Sequence, residues 1–178
     1  MEQDTAPQRD TDYVSATRAA LRLLSYRARS EAEVRRRLSR RHHAHTIESV
    51  IETLKAQGYL DDAAFARQWR SQRERRRPRG QALLRQELTR LGVAADVVRE
   101  ALEDFNAGDN AYRAAQGLAT RLAGKDHPEF RRRLWAHLQR RGFDHGVIGE
   151  TVQVLWQELR EELADPLHSD EDSGDDQE

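Results

Sequence analysis

The side chains that could do chemistry form three groups, and the histidines are the first of them. His42, His43 and His45 lie within four residues, and imidazole nitrogens are common zinc ligands. However, the chain has no cysteine, and no well-spaced carboxylate joins these histidines. They also fall between the end of one predicted helix and the start of the next, where histidine is usually solvated. The sequence therefore predicts no metal site and no bound cofactor.

The second group is a pair of neighbouring carboxylates, Asp61 and Asp62. Paired carboxylates can act as general acid and base, but these two directly precede a predicted helix, which favours a turn and a helix N-cap. The chain also lacks a glycine-rich phosphate loop, a cysteine nucleophile and a serine elbow motif. We therefore predict that this protein is not an enzyme.

The third group is arginine, which gathers in three clusters at related positions. They are Arg35, Arg36, Arg37, Arg40 and Arg41; Arg70, Arg73, Arg75, Arg76, Arg77 and Arg79; and Arg131, Arg132, Arg133, Arg140 and Arg141. A solvated face would explain one such cluster, and a biased genome composition would explain the preference for arginine over lysine. Three related clusters instead favour a polyanionic partner, either nucleic acid or an acidic protein face.

The charges are segregated along the chain. Its net charge is −1, yet residues 15–164 carry 29 basic and 20 acidic residues. Residues 165–178 carry seven acidic residues and no basic one, and we expect both 1–14 and 164–178 to be disordered. One hypothesis is that the acidic tail competes for the basic surface. The sequence shows no signal peptide and no apolar run long enough to span a bilayer, which predicts a cytoplasmic protein.

The elements that must carry these arginines are helices. Apolar residues recur at helical spacing in nine segments, and no convincing strand pattern occurs. Ser30 with Glu33 and Asp126 with Glu129 form capping boxes, while Gly58 is placed to end a helix. Three apolar series and one glycine series recur every 50 residues: Val34, Leu84 and Leu134; Leu38, Leu88 and Leu138; Ile47, Val97 and Val147; Gly92 and Gly142.

This periodicity predicts an all-α protein of three tandem three-helix repeats in an elongated, curved arrangement. We expect the repeats to span residues 15–60, 61–107 and 108–163. The tryptophans Trp69, Trp135 and Trp156 each fall on a predicted helix, and we interpret them as packing residues.

The segment over residues 58–93 resembles the signature region of the RecX family of recombination regulators. The matching features are Gly58-Tyr59-Leu60-Asp61-Asp62, Phe65-Ala66, the basic stretch ending in Arg79-Gly80, Glu87-Leu88 and Gly92. Residues 20–38 also resemble the first repeat of that family. The resemblance spans roughly residues 16–160, is less clear in the third repeat, and does not account for the acidic tail.

The resemblance implies a regulatory protein that binds the RecA recombinase. Members of the family bind the RecA filament on single-stranded DNA and inhibit its ATPase, strand-exchange and co-protease activities, and they have some affinity for DNA. On this basis we expect a monomer that meets single-stranded DNA directly or through RecA. The expected contact residues are Arg35, Arg36, Arg40, Arg73, Arg76, Arg77 and Arg79.

A free-standing DNA-binding protein is the alternative, because three-helix units are similar to helix-turn-helix modules. Sequence readout would then need polar side chains at the exposed start of one helix. The second predicted helix offers Glu31 and Glu33 there, and these carboxylates would repel phosphate. We therefore rank this alternative below the RecA modulator.

Overall fold

The computed structural model describes the backbone of residues 6–164 and the side chains from Asp10 onward. Over this range the chain forms helices and no strand, which confirms the all-α prediction and the three helical repeats. The helices are α1 (Ala6–Tyr26), α2 (Glu31–Leu38), α3 (Ala44–Ala56), α4 (Asp62–Arg76), α5 (Gln81–Arg90), α6 (Ala95–Ala101), α7 (Ala107–Arg121), α8 (His127–Arg140) and α9 (His145–Ala164).

The helix ends follow the capping signals in the sequence. The Ser30 hydroxyl accepts a hydrogen bond from the Glu33 backbone N–H at 3.2 Å, and the Asp126 carboxylate accepts one from the Glu129 N–H at 2.9 Å. Gly58, Gly92 and Gly142 have φ angles of 75°, 84° and 78°, the left-handed conformation that ends helices at glycine. The N-caps at Ser30 and Asp126 and the glycine C-caps are therefore confirmed, whereas the Glu33 and Glu129 carboxylates pair with Arg27 and Arg133.

The chain divides into two compact units. The first comprises the described residues up to Arg76 together with Leu84–Phe105, and the second comprises Arg77–Leu83 and the described residues from Asn106 onward. The first unit holds two apolar clusters, one built on α1, α2 and α3 and the other on α4, α5 and α6. The second unit holds one cluster, built on α7, α8 and α9. The repeat boundaries 15–60, 61–107 and 108–163 remain predictions.

The apolar series predicted from the 50-residue spacing line these clusters. All residues of the Val34 and Leu38 series are at most 2% exposed, as is Ile47. In the second and third repeats, however, Val97 and Val147 are only half-buried, and the next residues, Val98 and Ile148, take the core position. The spacing thus locates the helix, while the position facing the core shifts by one residue.

The first helix begins earlier than the sequence suggests. Disorder was expected over residues 1–14, but α1 starts at Ala6, so that prediction is wrong from Ala6 onward. Side chains near the start of α1 are held by tertiary contacts: Tyr13 Oη lies 2.9 Å from Thr53 Oγ1, and Asp12 Oδ1 lies 2.6 Å from His42 Nδ1. Residues 1–5 and the acidic tail from 165 onward lie outside the described residues.

One contact recurs at the start of the second helix of a repeat, and we call it the junction. In the first unit, the Ser30 hydroxyl donates a hydrogen bond to the Leu91 carbonyl, and a Cβ on Gly92 would overlap the Cβ of Ala32. In the second unit, the Gly80 N–H donates to the Arg141 carbonyl at 2.8 Å.

The second junction repeats the first at the spacing of the sequence repeat. A Cβ on Gly142 would lie 2.6 Å from the Leu83 Cβ, which matches the closeness of Gly92 to Ala32. Ser30 and Gly80 are 50 residues apart, as are Leu91 and Arg141. Equivalent positions therefore meet in both junctions, although the donor is the Ser30 hydroxyl in the first and the Gly80 backbone N–H in the second.

Candidate polyanion-binding surface

The first arginine cluster is displayed by α2. Val34 and Leu38 are buried on one side of this helix, which leaves the arginines on its other sides. Arg35 forms two 2.8 Å hydrogen bonds with the Glu48 carboxylate, and this bonding raises the pKa of Arg35 above its ordinary value. Arg36 and Arg40 are exposed, and within the described residues they have no side-chain partner.

The second cluster is divided between internal contacts and solvent. Arg73 donates to Glu87 Oε2 at 3.0 Å, and its guanidinium lies 4.4 Å from the centre of the Trp69 ring. Arg79 is half-buried and also has an interaction partner. Arg76 and Arg77 are exposed. Of the seven predicted contact residues, four are therefore available on the surface without breaking an internal contact: Arg36, Arg40, Arg76 and Arg77.

The third cluster, on α8 in the second unit, is also mixed. Arg133 pairs with Glu129 at 2.6 Å, and the Arg131 guanidinium lies 5.6 Å from the centre of the Trp135 ring. Arg141 donates to the Pro78 carbonyl at 3.3 Å. Arg132 and Arg140 are exposed.

A fourth group of arginines joins two members of the first cluster to a pair on α1 that the sequence analysis missed. Arg18 and Arg22 on α1 face Arg37 and Arg41, at and just beyond the end of α2, across a groove of about 350 Å³. We call this cavity the arginine groove. Arg18 and Arg22 are four residues apart and lie on one face of α1, whereas Arg41 lies beyond the end of α2 at Leu38. That spacing was visible in the sequence, but only the packing of α1 on α2 brings the two pairs together.

The carboxylates Asp61 and Asp62 cap two different helices. Asp61 Oδ1 accepts from the Ala64 N–H at 2.9 Å, at the start of α4. Asp62 Oδ1 accepts from the Glu31 N–H at 2.9 Å, at the start of α2. Burial raises the pKa of Asp62 above its ordinary value. These contacts account for both carboxylates structurally, in agreement with the capping interpretation.

The three histidines do not converge on one point. His42 pairs with Asp12, whereas the rings of His43 and His45 stack with their centres 5.9 Å apart. Among residues 6–164, no group of three histidine, cysteine or acidic side chains is placed to hold a metal ion. Over the same range, no helix is both long and apolar enough to cross a bilayer.

Glu33 anchors the chain entering α2 and is one of the few buried charged residues. Its carboxylate accepts from Arg27 at 2.7 and 3.2 Å and lies 3.7 Å from Arg29, while its side chain is 8% exposed. Burial by itself would raise the pKa of Glu33, but the Arg27 hydrogen bonds and the two guanidinium charges outweigh it and lower that pKa. The ionised carboxylate is thus favoured by folding.

We expect Glu33→Gln to lower the free energy of unfolding by about 1–2 kcal/mol near neutral pH, because charge-assisted hydrogen bonds are lost. A carboxyl whose pKa is lowered by folding stabilises the protein above its ordinary pKa of 4.5. This contribution is lost as the pH falls through the lowered value. Urea unfolding at several pH values should therefore show the difference between the two proteins shrinking below pH 4.5.

Glu129→Gln is the matched control, because Glu129 pairs with Arg133 near the surface, where the side chains are 29% and 49% exposed. It should cost about 0.5 kcal/mol or less. Equal losses in the two variants, or a Glu33→Gln deficit that persists unchanged at low pH, would contradict the role of the ionised Glu33.

The fold and its surface define a class: a helical repeat protein whose three-helix modules display arginines to solvent. Family models assign these modules. The RecX first, second and third three-helix domains match residues 16–54, 61–102 and 109–152. The chain belongs to the RecX family.

Individual relatives agree with this assignment. The chain is 34% identical over 139 residues to the regulatory protein RecX of Chlorobium limicola, covering 78% of this chain and 87% of the relative. It is 35% identical to that of Mycobacterium avium, covering 74% and 79%. A crystal structure of RecX from Lactobacillus salivarius superposes with a TM-score of 0.75 at 22% identity, covering 82% of this chain and 97% of the other. That last likeness supports the fold.

Proposed function

We propose that this protein modulates the RecA recombinase by binding its filament on single-stranded DNA. In this proposal it inhibits the ATPase, strand-exchange and co-protease activities of RecA without catalysing a reaction itself. The observation that carries the proposal is the ordered match of three RecX domains, since the relatives are described as regulatory proteins. It acts in the cytoplasm as a monomer.

The proposed mechanism is differential binding. An inhibitor changes a filament only if it binds one state or one end more tightly than the others. The exposed residues Arg36, Arg40, Arg76 and Arg77 are suited to make the first contacts, because guanidinium groups pair with phosphate and carboxylate in planar geometry. Arg35, Arg73 and Arg79 remain in the proposed set, but Arg35 and Arg73 must first give up their pairs with Glu48 and Glu87.

The start of α2 argues against a free-standing sequence reader of the helix-turn-helix type. Ser30 and Glu33 are 0% and 6% exposed and serve internal contacts, while Glu31 pairs with Lys55 at 2.8 Å. Base readout by this helix would need polar side chains free to enter the major groove. We therefore propose DNA contacts to the backbone, made together with RecA.

The decisive experiment is to titrate the full chain into a RecA ATPase assay on single-stranded DNA. We expect inhibition that saturates at less than one molecule per RecA protomer if filament growth is the step affected. A gel shift with the same DNA and no RecA should show weak, sequence-independent binding that falls with added salt. Unchanged ATPase activity at equimolar protein, or tight sequence-selective binding without RecA, would overturn the proposal.

A further inference from the structure

The arginine groove holds more positive charge than its neighbours compensate. Arg18, Arg22, Arg37 and Arg41 are all exposed. Within the part of the chain that the structure describes, none of these four guanidinium groups has an ion-pair partner. Like charges that face each other across one cavity repel, and a bound polyanion would relieve that repulsion.

Two carboxylates lie near the groove, and neither cancels its charge. Asp12 is engaged just before α3, where its Oδ1 lies 2.6 Å from Nδ1 of the groove residue His42 and its Oδ2 accepts a 3.4 Å hydrogen bond from the His43 N–H. Asp10 lines an adjoining cavity with Arg18. It precedes Arg18 by eight residues, about 12 Å along the helix axis, which exceeds the screening length of about 8 Å at physiological salt. Four guanidinium groups against two carboxylates leave an excess of two positive charges, before any proton on His42 is counted.

The rest of the groove lining is largely aliphatic and offers no stacking face. Ala19, Leu23 and Leu38 contribute to it, and Leu38 is only 2% exposed. The described residues that line the groove include no phenylalanine, tyrosine or tryptophan. Proteins that hold the bases of single strands stack them on aromatic side chains. The arginine groove is therefore suited to a sugar–phosphate backbone and not to the bases themselves.

We propose that the arginine groove binds the phosphate backbone of single-stranded DNA, with the bases turned away from the protein. One phosphate lies at Arg18 and Arg22 and a neighbouring phosphate lies at Arg37 and Arg41, because a guanidinium group donates two parallel hydrogen bonds to phosphate oxygens. Deoxyribose carbons cover the aliphatic part of the lining. A single strand can bend into such a cavity, whereas a duplex is stiff over about 150 base pairs and presents its backbone on a convex surface.

This inference rests on the proposed function for its partner, and it separates the DNA contacts from the RecA contacts. None of the four groove arginines belongs to the set of contact residues expected from the sequence. Residues of that set, such as Arg36 and Arg40, are then left for RecA. Contacts to the backbone carry no information about base identity, so binding is independent of sequence and the bases of the bound strand stay accessible.

The test measures DNA binding by the full chain without RecA. The probe is fluorescein-labelled oligothymidylate, which does not pair with itself, and binding is followed by anisotropy at several salt concentrations. Glutamine at Arg18, Arg22, Arg37 and Arg41 should weaken binding by about tenfold or more near 50 mM salt. Each phosphate contact to a single strand adds about 0.7 to the slope of log affinity against log salt, so losing two to four contacts should reduce that slope by about 1.5–3.

Two further variants separate the groove from net charge. Glutamine at four exposed arginines elsewhere in the first unit, Arg67, Arg85, Arg90 and Arg99, removes the same charge and should weaken binding less than about threefold. Lysine at the four groove positions keeps the charge without the guanidinium geometry and should retain the salt slope of the wild type. Circular dichroism checks that each variant folds. If the quadruple glutamine variant does not fold, Arg18→Gln/Arg22→Gln replaces it, with about half the change in slope.

Three outcomes overturn the inference. One is an equal loss of oligothymidylate binding in the groove and control variants, or no binding by the wild type. A second is groove-dependent binding of labelled polyglutamate with oligothymidylate binding unchanged, which would assign the groove to an acidic protein face. A third is tighter groove-dependent binding of a duplex than of a single strand of equal length.

The RecA ATPase assay keeps this inference distinguishable from the proposed function. If the groove variant binds DNA as the wild type does while the wild type inhibits the ATPase, the inference fails and the proposed function stands. If DNA binding depends on the groove but the ATPase is not inhibited, the proposed function fails and the DNA site stands.

Discussion

Replacing Gly80 by alanine is expected to lower the free energy of unfolding by about 2–3 kcal/mol, because the added methyl group has no room. A Cβ at this position would overlap the backbone carbonyl of Gly142 and approach the Phe143 nitrogen within 2.5 Å. Backbone atoms cannot move aside as a flexible side chain can, so the segment around Gly80 must withdraw. The 2.8 Å hydrogen bond from Gly80 to the Arg141 carbonyl is then stretched or lost. Urea unfolding monitored by circular dichroism measures the change.

Gly117→Ala is the matched control for this experiment. Gly117 lies inside α7, and a Cβ there meets nothing within 4 Å. Alanine favours the helix interior over glycine by about 1 kcal/mol, so this variant should be more stable than the wild type. Amide hydrogen exchange at the residues next to position 80 should be faster in Gly80→Ala than in the wild type. In Gly117→Ala it should be unchanged there. A Gly80→Ala protein as stable as the wild type would mean that the junction contributes little to folding.

Reversing the charge at Arg36 and Arg40 to glutamate is expected to weaken inhibition of the DNA-stimulated RecA ATPase by about 10- to 100-fold in half-inhibitory concentration. Both residues are exposed on or just beyond α2 and have no partner among the described side chains. The change therefore removes two cations from the proposed interface without breaking an internal pair. A tenfold weakening corresponds to about 1.4 kcal/mol of binding free energy. Two contacts that change from attractive to repulsive can account for a loss of this size.

The control carries the same change of charge at Arg67 and Arg99, which are exposed on α4 and α6. Its inhibition should stay within about threefold of the wild type, allowing for the altered net charge of the whole molecule. Thermal melts of both variants are needed, because a cation near the C-terminus of a helix stabilises that helix by about 0.3–1 kcal/mol. The Arg36/Arg40 variant removes two such cations from the end of α2. Unchanged inhibition by the Arg36/Arg40 variant would remove these residues from the interface.

Local signals in the sequence predicted most of the fold. The 50-residue spacing of Leu38, Leu88 and Leu138 located the second helix of each repeat, and all three side chains are buried. The capping box at Ser30 and the glycine at Gly92 marked helix ends correctly, because a cap depends on residues within one turn. The start of α1 was mistaken because the acidic composition of the first residues outweighed the contribution of Tyr13 and its contact to Thr53.

The candidate surface was harder to predict, since whether an arginine is available depends on its partners in three dimensions. Arg35 and Arg36 are adjacent in sequence, yet Glu48 on α3 engages one and leaves the other to solvent. The arginine groove combines residues from α1 with residues at the end of α2, and helix periodicity alone does not specify which faces of two helices meet. Charge clusters in the sequence therefore did not reveal which arginines are engaged in internal pairs and which are exposed.

The two halves of the junction are not alike, and this gives the repeats a direction. The start of the second helix in one repeat contacts the glycine that ends the second helix of the next repeat, as Ala32 contacts Gly92. In the first repeat the corresponding position is His42, which does not have the positive φ angle of Gly92 and Gly142. The second repeat carries both halves, Gly80 at the start of its second helix and Gly92 at the end of it, so a gene duplication that copies this repeat would reproduce both halves of the junction. A copied first repeat would place histidine where the head-to-tail connection needs glycine.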